Sequence, residues 1–506
     1  MDRLAWTIEK TFLSLTESLY NEWEYYITEH KDSHSLATLC AGSECPMTVK
    51  AAFKRAVFNV FNIKISWGHN LRVDHNYKKI NFIKDMSIGT SSEKTPLIKK
   101  MEDLGSDEAV NEISGELIEI PQSTISWCGH PCTDVSRKNP NAKNSANRTT
   151  VRDKSMRTGG AFGGLLLYYT LKSPVQLGFC EQVEGYNDPA PPLEEGDDPM
   201  FANATNLDIT IHELSMAGYW TMVLKVNPSV VFNFKTSRTR FWMPHVQESI
   251  LRNLPIDDRH ELVRDVFGHF ADSAEPMSIN EHLLDDWHPI VKAQYDQEAD
   301  GNVYSPSVLL ARSRKRKLAQ ANKAHWAEQN SEMCEQQGLN WMEQRGPSLD
   351  AMELFPGLQK LNPKQLDELA SLGVEFPEKH CRTIDLSQSI SRLKLVDGFG
   401  CQSPQMIQYL TDRCRTTLGV EAMQLQNIHY GNNHYKLLEH NNTTVQDLAG
   451  NAFEAYSCAA SLLCGLSLLV KAFAIENNFT GPTPLSQAST LSRESVGEEC
   501  DDIWSS

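Results

Sequence analysis

The segment Ser126-Trp-Cys-Gly-His-Pro-Cys-Thr-Asp-Val-Ser-Arg-Lys-Asn139 gathers the residue types that do chemistry. A thiolate is a strong nucleophile that needs little help from a base. Pro131 fixes the backbone just before Cys132, so Cys132 is the candidate nucleophile. Two other readings compete. Cys128, His130 and Cys132 form C-x-H-x-C, but ligands at every second residue are not common zinc spacing, and no second Cys/His cluster follows. No metal is expected. Ordinary buried thiols remain open on this segment alone.

Such a nucleophile needs a strand to deliver it. Ser-Thr-Ile-Ser-Trp-Cys, from residue 123, reads as that strand, with a small, polar loop after it. Residues 1–32 read as a helix, with Trp6, Phe12, Leu15 and Tyr20 at roughly helical spacing. Residues 35–40, Ser-Leu-Ala-Thr-Leu-Cys, then a tight turn, then the helical run from Met47 to Phe61 form strand, turn and helix. This is the opening of a doubly wound α/β unit, in which ligands lie outside the carboxyl ends of the strands. Further strands are expected at 175–183, 220–226 and 239–244. Strands alternating with helices predict an α/β fold with a mostly parallel sheet.

Downstream segments repay comparison with Cys132. Glu181-Gln182-Val183 ends one strand candidate. Thr236-Ser-Arg238-Thr-Arg240-Phe-Trp opens another, after the pair Gly218-Tyr219. Gly419-Val-Glu421-Ala-Met-Gln-Leu-Gln426 and Leu448-Ala-Gly450-Asn451-Ala452-Phe453 stand near the C-terminus. In this order the pieces resemble the cytosine-C5 methyltransferase family. Its nucleophile motif is Gly-x-Pro-Cys-x-x-x-Ser, matched here by Gly129, Pro131, Cys132 and Ser136. Its Glu-Asn-Val, its Arg-x-Arg with aromatics, its Glu-x-x-x-x-Gln helix and its closing Gly-Asn-Ala follow in turn. The resemblance spans roughly residues 35–470.

The resemblance implies a Rossmann-like, S-adenosylmethionine-dependent methyltransferase fold with a smaller mixed target-recognition lobe. It implies transfer of a methyl group to C5 of a cytosine in DNA, or in tRNA as in one small relative, through a covalent bond from Cys132 to C6. Glu181 would serve ring N3, Arg240 the ring carbonyl, and Arg238 would support Glu181 or a phosphate. Cys40, Gly42, Ser43, Asp74, Pro131, Asn451 and Ala452 would line the cofactor. Gln182 replaces the usual Asn, Thr236 replaces Gln in the Arg motif, and two further departures fall at the cofactor end. Glu44 replaces the second glycine of the cofactor turn, where its side chain is expected to crowd the cofactor and repel its carboxylate. Arg72 aligns with the acid that ends the second strand, with Asp74 two residues later. An alternative from another class is a catalytically weak member that serves as a nucleic-acid- or partner-binding scaffold.

The implied organisation is an N-terminal helix (1–34), a catalytic core (35–244), a target-recognition insert (245–385), a C-terminal part completing the core (386–475) and a disordered tail (476–506). The 137–157 stretch, rich in Lys, Arg and Asn, falls at the family's mobile loop over the nucleic acid. The basic cluster Arg312–Lys317 reads as a solvated face, a backbone contact or a nuclear address. A net charge of −17 argues against a protein that coats nucleic acid, though not against a local basic cleft. Twelve scattered cysteines and no secretory signal point to the nucleus or cytoplasm. The apolar run Ser457–Val470 is about 14 residues, short of the ~20 that span a membrane, and reads as a buried helix. DNA or RNA is the expected partner and no membrane is; the oligomeric state is open.

Overall fold

The computed structural model describes residues 2–137 apart from 41 and 133, 151–189 apart from 173–174, 204–292, and 406–481 apart from a few positions; between 293 and 405 it describes only short runs and single positions. The basic cluster around Arg312, most of the 137–157 stretch and the tail beyond 481 lie outside the described residues.

The chain opens with two helices rather than one, α1 (Asp2–Ser14) and α2 (Glu17–His30). The break comes at Thr16, whose side chain accepts the Leu19 N–H and caps α2. Then β1 (Ser35–Leu39) leads to α3 (Cys45–Phe61), β2 (Gly68–Val73) to α4 (Tyr77–Ser87), and β3 (Leu97–Ile98) to the hairpin β4 (Glu108–Val110) and β5 (Leu117–Glu119). β6 (Ile125–Cys128) precedes α5 (Arg157–Leu167), and β7 (Leu177–Val183) precedes α6 (Asn206–Met216). Short strands β8 (Tyr219–Thr221) and β9 (Leu224–Val226), the turn of helix α7 (Pro228–Val231), β10 (Arg240–Gln247), α8 (Glu248–Leu251) and α9 (Ile256–Ser273) follow.

The main sheet has the order β3-β2-β1-β6-β7-β10-β8, with β9 also on β10. The first five strands are parallel. β10 lies antiparallel to β7, and β8 and β9 antiparallel to β10. The fold is therefore α/β with a mostly parallel sheet, and the order in which strands are added reverses between β1 and β6, where such sheets form a crevice. The 220–226 run, expected as one strand, is split. Trp242 pairs with Leu224 and His245 with Thr221, which leaves the gap between β8 and β9 opposite Pro244. Proline has no N–H to give a ladder, so the neighbouring strand is interrupted there.

A second, three-stranded sheet is built from β11 (Thr383–Asp385), β12 (Gln408–Leu410) and β13 (Arg415–Thr416). It has its own small core of Leu358, Leu366, Leu369, Ile384 and Tyr409. α10 (Gly419–Gln424), α11 (Asn442–Asn451) and α12 (Ala455–Glu476) close the chain. α12 is long and apolar enough to cross a membrane by composition, but 83% of its apolar window is buried inside the protein. It packs on α2, α3, α9 and β10 at the centre of the largest core.

That core sets the extent of the main body. Leu251, Leu254, Val263, Val266, Phe270, Ile290 and Val291 are buried in it. Residues 248–291, assigned by the sequence to the insert, are thus built into the same body as β1 and α12. The amphipathic period of α9 is satisfied by α1 and α12, not by a separate lobe.

Candidate active site

β6 ends at Cys128, and the chain turns through Gly129 to Cys132. The turn is tied at three successive carbonyls. Gln182 Nε2 donates to His130 O (2.9 Å), Thr158 Oγ1 to Pro131 O (2.7 Å), and Ser136 N to Cys132 O (2.9 Å). Gln182 is fully buried on the neighbouring strand β7, so one amide side chain fixes the nucleophile's loop to the sheet. Gly129 is required by close approach: a Cβ there would lie 2.6 Å from the Phe453 ring.

Glu181 precedes Gln182 on β7, and Arg240 opens the adjacent β10. Their Nε and Oε1 atoms are 2.7 Å apart, with both side chains about 12% exposed. The two atoms are not aligned as a hydrogen bond, so the charges are paired without the directional bond. Cys132 shares this locality. Its thiol is raised above the ordinary range first by burial and then by Glu181, while Arg240 and Arg238 pull it back. The sheet order makes this possible: Cys132, Glu181 and Arg240 leave the same end of β6, β7 and β10.

Arg238 is placed differently from expectation. Its guanidinium donates to Gly450 O (3.2 Å) and Ala452 O (2.6 Å), so it clamps the C-terminal segment. The bidentate fork suits two carbonyls one turn-end apart. Asn451 between them is exposed, and its amide donates to Asp447 O at 2.8 Å. Ala452 is buried. The start of α12 meets the start of α3 at Cys458 and Cys45, and the Cys45 thiol lies in the field of Glu454 and Arg238. Tyr430 Oη donates to Ser43 O at 2.8 Å and adds a second tie.

The turn after β1 has left-handed backbone at Cys40 (φ 58°), Gly42 (φ 52°) and Glu44 (φ 54°). Gly42 N donates to Asp74 Oδ2 (2.9 Å), and Asn76 N to Asp74 Oδ1 (2.9 Å). Asp74 is buried just past β2. The two departures noted in the sequence answer each other. The Glu44 carboxylate is not over the turn but in the field of Arg72 and Lys50, and Arg72 in turn feels Glu44. Arg72 is wholly buried, and its Nη2 donates to Thr95 O at 2.6 Å. Glu44 has left-handed backbone, and its carboxylate is in the field of the β2 guanidinium.

Pro131 and Cys40 are half-buried near these groups, and the Cys40 thiol meets Cys128, which meets Cys180. His130 is buried, with Nε2 3.0 Å from Tyr186 Oη, and burial holds its imidazole neutral, down to about 3. Among the described residues no three His, Cys, Asp or Glu side chains gather as metal ligands. Sequence reasoning missed Thr158 and Tyr430. Both act through a single hydroxyl on a backbone carbonyl, which leaves no periodicity or spacing to read. The Gly159-Gly160 pair beside Thr158 was the one visible cue.

No family model matches the sequence, and no curated protein does. Among solved structures, the chain is similar to the Entamoeba histolytica methyltransferase EhMeth (11% identity, 87% of this chain and 98% of that one, TM-score 0.41). It is similar to the S. pombe Dnmt2 methyltransferase (10% identity, 87% and 99%, TM-score 0.40) and to a Spodoptera frugiperda DNMT2 mutant (12% identity, 87% and 100%, TM-score 0.36).

Proposed function

We propose that the chain is a divergent cytosine-C5 methyltransferase that uses S-adenosylmethionine and acts on cytosine in DNA or RNA. The observation that supports this most is the Cys132 thiol in the shared field of Glu181 and Arg240, at the carboxyl ends of β6 and β7 and the amino end of antiparallel β10.

The residues at the first turn fit the cofactor on one ground. The Asp74 carboxylate is buried and oriented by two backbone N–H groups, one on each oxygen. A carboxylate has about four acceptor sites, so two remain for a ribose diol. Asp74 and Gly42 would hold the cofactor on the β1–β2 side, with Pro131 and Ala452 toward the β6 loop. When bound, S-adenosylmethionine supplies an electrophilic methyl group.

The rest is done by this chain's own side chains. Cytosine C5 is a weak nucleophile, and addition of the Cys132 sulfur to C6 makes it enamine-like. Charge that develops on the ring is met at N3 by Glu181 and at the carbonyl by Arg240. The ion pair sets Glu181 and Arg240 side by side next to the thiol, so that one base can reach both. A paired cytosine must leave its stack to reach them. Gln182, Thr158 and the Ser136 N–H keep the thiol in place by holding the carbonyls of its loop.

A second reading, a catalytically weak nucleic-acid-binding scaffold, is favoured by the raised thiol, which is protonated at neutral pH. Trapping separates the two. The full chain is incubated with S-adenosylmethionine and 5-fluorocytosine oligonucleotides, DNA and tRNA-derived RNA in parallel. A covalent adduct with one of them, absent in Cys132→Ala, is expected. Binding without adduct at any pH up to 9 would sink the enzymatic reading.

A further inference from the structure

We propose that the cleft between the N-terminal half of α3 and the C-terminal half of α4 is a second small-molecule site, shaped for an organic anion with an apolar body. The cleft is small, with a cavity volume of ≈ 80 Å³, opens to solvent, and does not include the Cys132 group. Phe82, Met86 and Tyr430 give it an apolar wall. Lys50 and Lys54 stand one helical turn apart on the facing side of α3. Thr48, Thr90 and Ser91 add hydroxyls.

The cationic side is built and unfinished. Lys50 is 6% exposed, yet its ammonium makes no hydrogen bond and no ion pair among the described residues. The stem of Lys50 is buried while its ammonium opens into the cleft, where a ligand can meet it. Behind it, Nε and Nη1 of the buried Arg72 have no hydrogen-bond partner, and neither has Glu44 Oε1. Glu44 is in the field of Arg72 and Lys50, and Lys54 adds a further positive charge beside Lys50, so among these groups positive charge is in excess. A carboxylate or phosphate between Lys50 and Lys54 would supply the missing acceptor. A hydroxyl or amine on the same ligand would serve Glu44, and the apolar body would cover Phe82 and Met86.

Occupancy would be felt at the first turn. Glu44 is part of that turn, and Tyr430 holds Ser43 O. Both line the cleft. The ligand would therefore act as an effector on the Gly42–Glu44 backbone without competing for Asp74.

Phenyl phosphate is the probe, with inorganic phosphate and phenol as its two halves, titrated by calorimetry into the full chain and into Lys50→Met. Saturable binding of phenyl phosphate is expected, weakened at least about tenfold in the variant. Burial and Lys54 hold Lys50 down to about 8, so at pH 8 it is a fast-acylating lysine. Phenyl phosphate should slow its acetylation, read on the Lys50 peptide by mass spectrometry. Absence of saturable binding, or equal affinity in Lys50→Met, overturns the site. Equal affinity for inorganic phosphate overturns the apolar half. Should Lys50→Met fail to fold, protection of Lys50 in the unaltered chain decides alone.

Discussion

The guanidinium of Arg238 donates to the main-chain carbonyl of Ala452 at 2.6 Å, joining positions 214 residues apart. A second bond reaches Gly450 O. The clamp brings the end of α11 against the turn after β6, where Phe453 lies over Gly129. Hydrogen bonds from charged donors contribute about 1.5–3 kcal/mol each, and an orphaned buried carbonyl costs about 1–3 kcal/mol. Arg238→Met should therefore lower stability by roughly 3–5 kcal/mol. Arg238→Lys keeps charge but not the fork, and should recover less than half. Urea unfolding of the three chains measures this, and equal midpoints would refute the clamp.

Thiol reactivity tests the Cys132 environment without any substrate. Burial and then Glu181 raise the thiol, while Arg240 and Arg238 lower it. Alkylation of Cys132 by iodoacetamide should rise with pH past the range of an ordinary thiol. Glu181→Gln removes the negative neighbour, so the thiol falls and alkylation at pH 8 becomes faster. Arg240→Met should make it slower. Both variants should lose adduct formation with 5-fluorocytosine, because both remove a group that contacts the ring. Faster alkylation with slower trapping is the signature. If Glu181→Gln leaves alkylation unchanged, the two side chains do not share a site.

A sequence-only argument would have Glu44→Gly tighten cofactor binding by removing a carboxylate from the turn. The geometry reverses this expectation. Glu44 offsets the charge of Arg72 and Lys50. Its loss removes a nearby opposite charge from these cations, at about 2 kcal/mol for charges beyond ion-pair distance at an effective dielectric of ~20. Glycine returns about 1 kcal/mol by relieving the left-handed backbone. A net loss of roughly 1 kcal/mol by urea unfolding is expected, with no gain in affinity for S-adenosylhomocysteine by calorimetry. A stable Gly variant that binds more tightly would restore the crowding argument.

Glu44 also shows where the sequence stops being legible. The strands that carry the site were readable because 35–40, 123–128 and 175–183 are apolar runs ended by turn residues. Cys132, Glu181 and Arg240 were readable because each sits just past such a run. The partner of Glu44 was not, since Arg72 lies inside a strand and looks like a misplaced surface charge. Only the three-dimensional sheet shows that it points at α3. The start of the insert failed for a similar reason. The polar composition of 245–290 hides one apolar stripe on α9, and that stripe is what docks it on α12.

Buried histidines give the last prediction. Burial holds the imidazoles of His34 and His130 down to about 3 and that of His245 to about 4, and His69 is also well below its usual range. All four are neutral in the folded chain. In the unfolded chain they take protons near pH ~6.5. The unfolded state then binds more protons, so their contribution is complete above pH ~6.5 and is lost as pH falls toward the folded values. Each extra proton adds about 1.4 kcal/mol per pH unit to the slope, about 5 kcal/mol per unit for all four once fully engaged. Glu44 and Glu454, both raised by burial, work the other way, because they gain protons first in the folded chain. They soften the loss from their raised folded values down to the ordinary carboxylate range. Urea midpoints from pH 8 to pH 5 should be flat above about 7 and fall steeply below about 6.5. His34→Gln should reduce the slope by about one proton, because its ring bonds to Tyr26 and Thr124 are side-chain contacts that an amide can partly replace. A stability curve that stays flat to pH 5 would mean that these rings take up protons in the folded chain, and that the core around β1, β6 and β10 admits water.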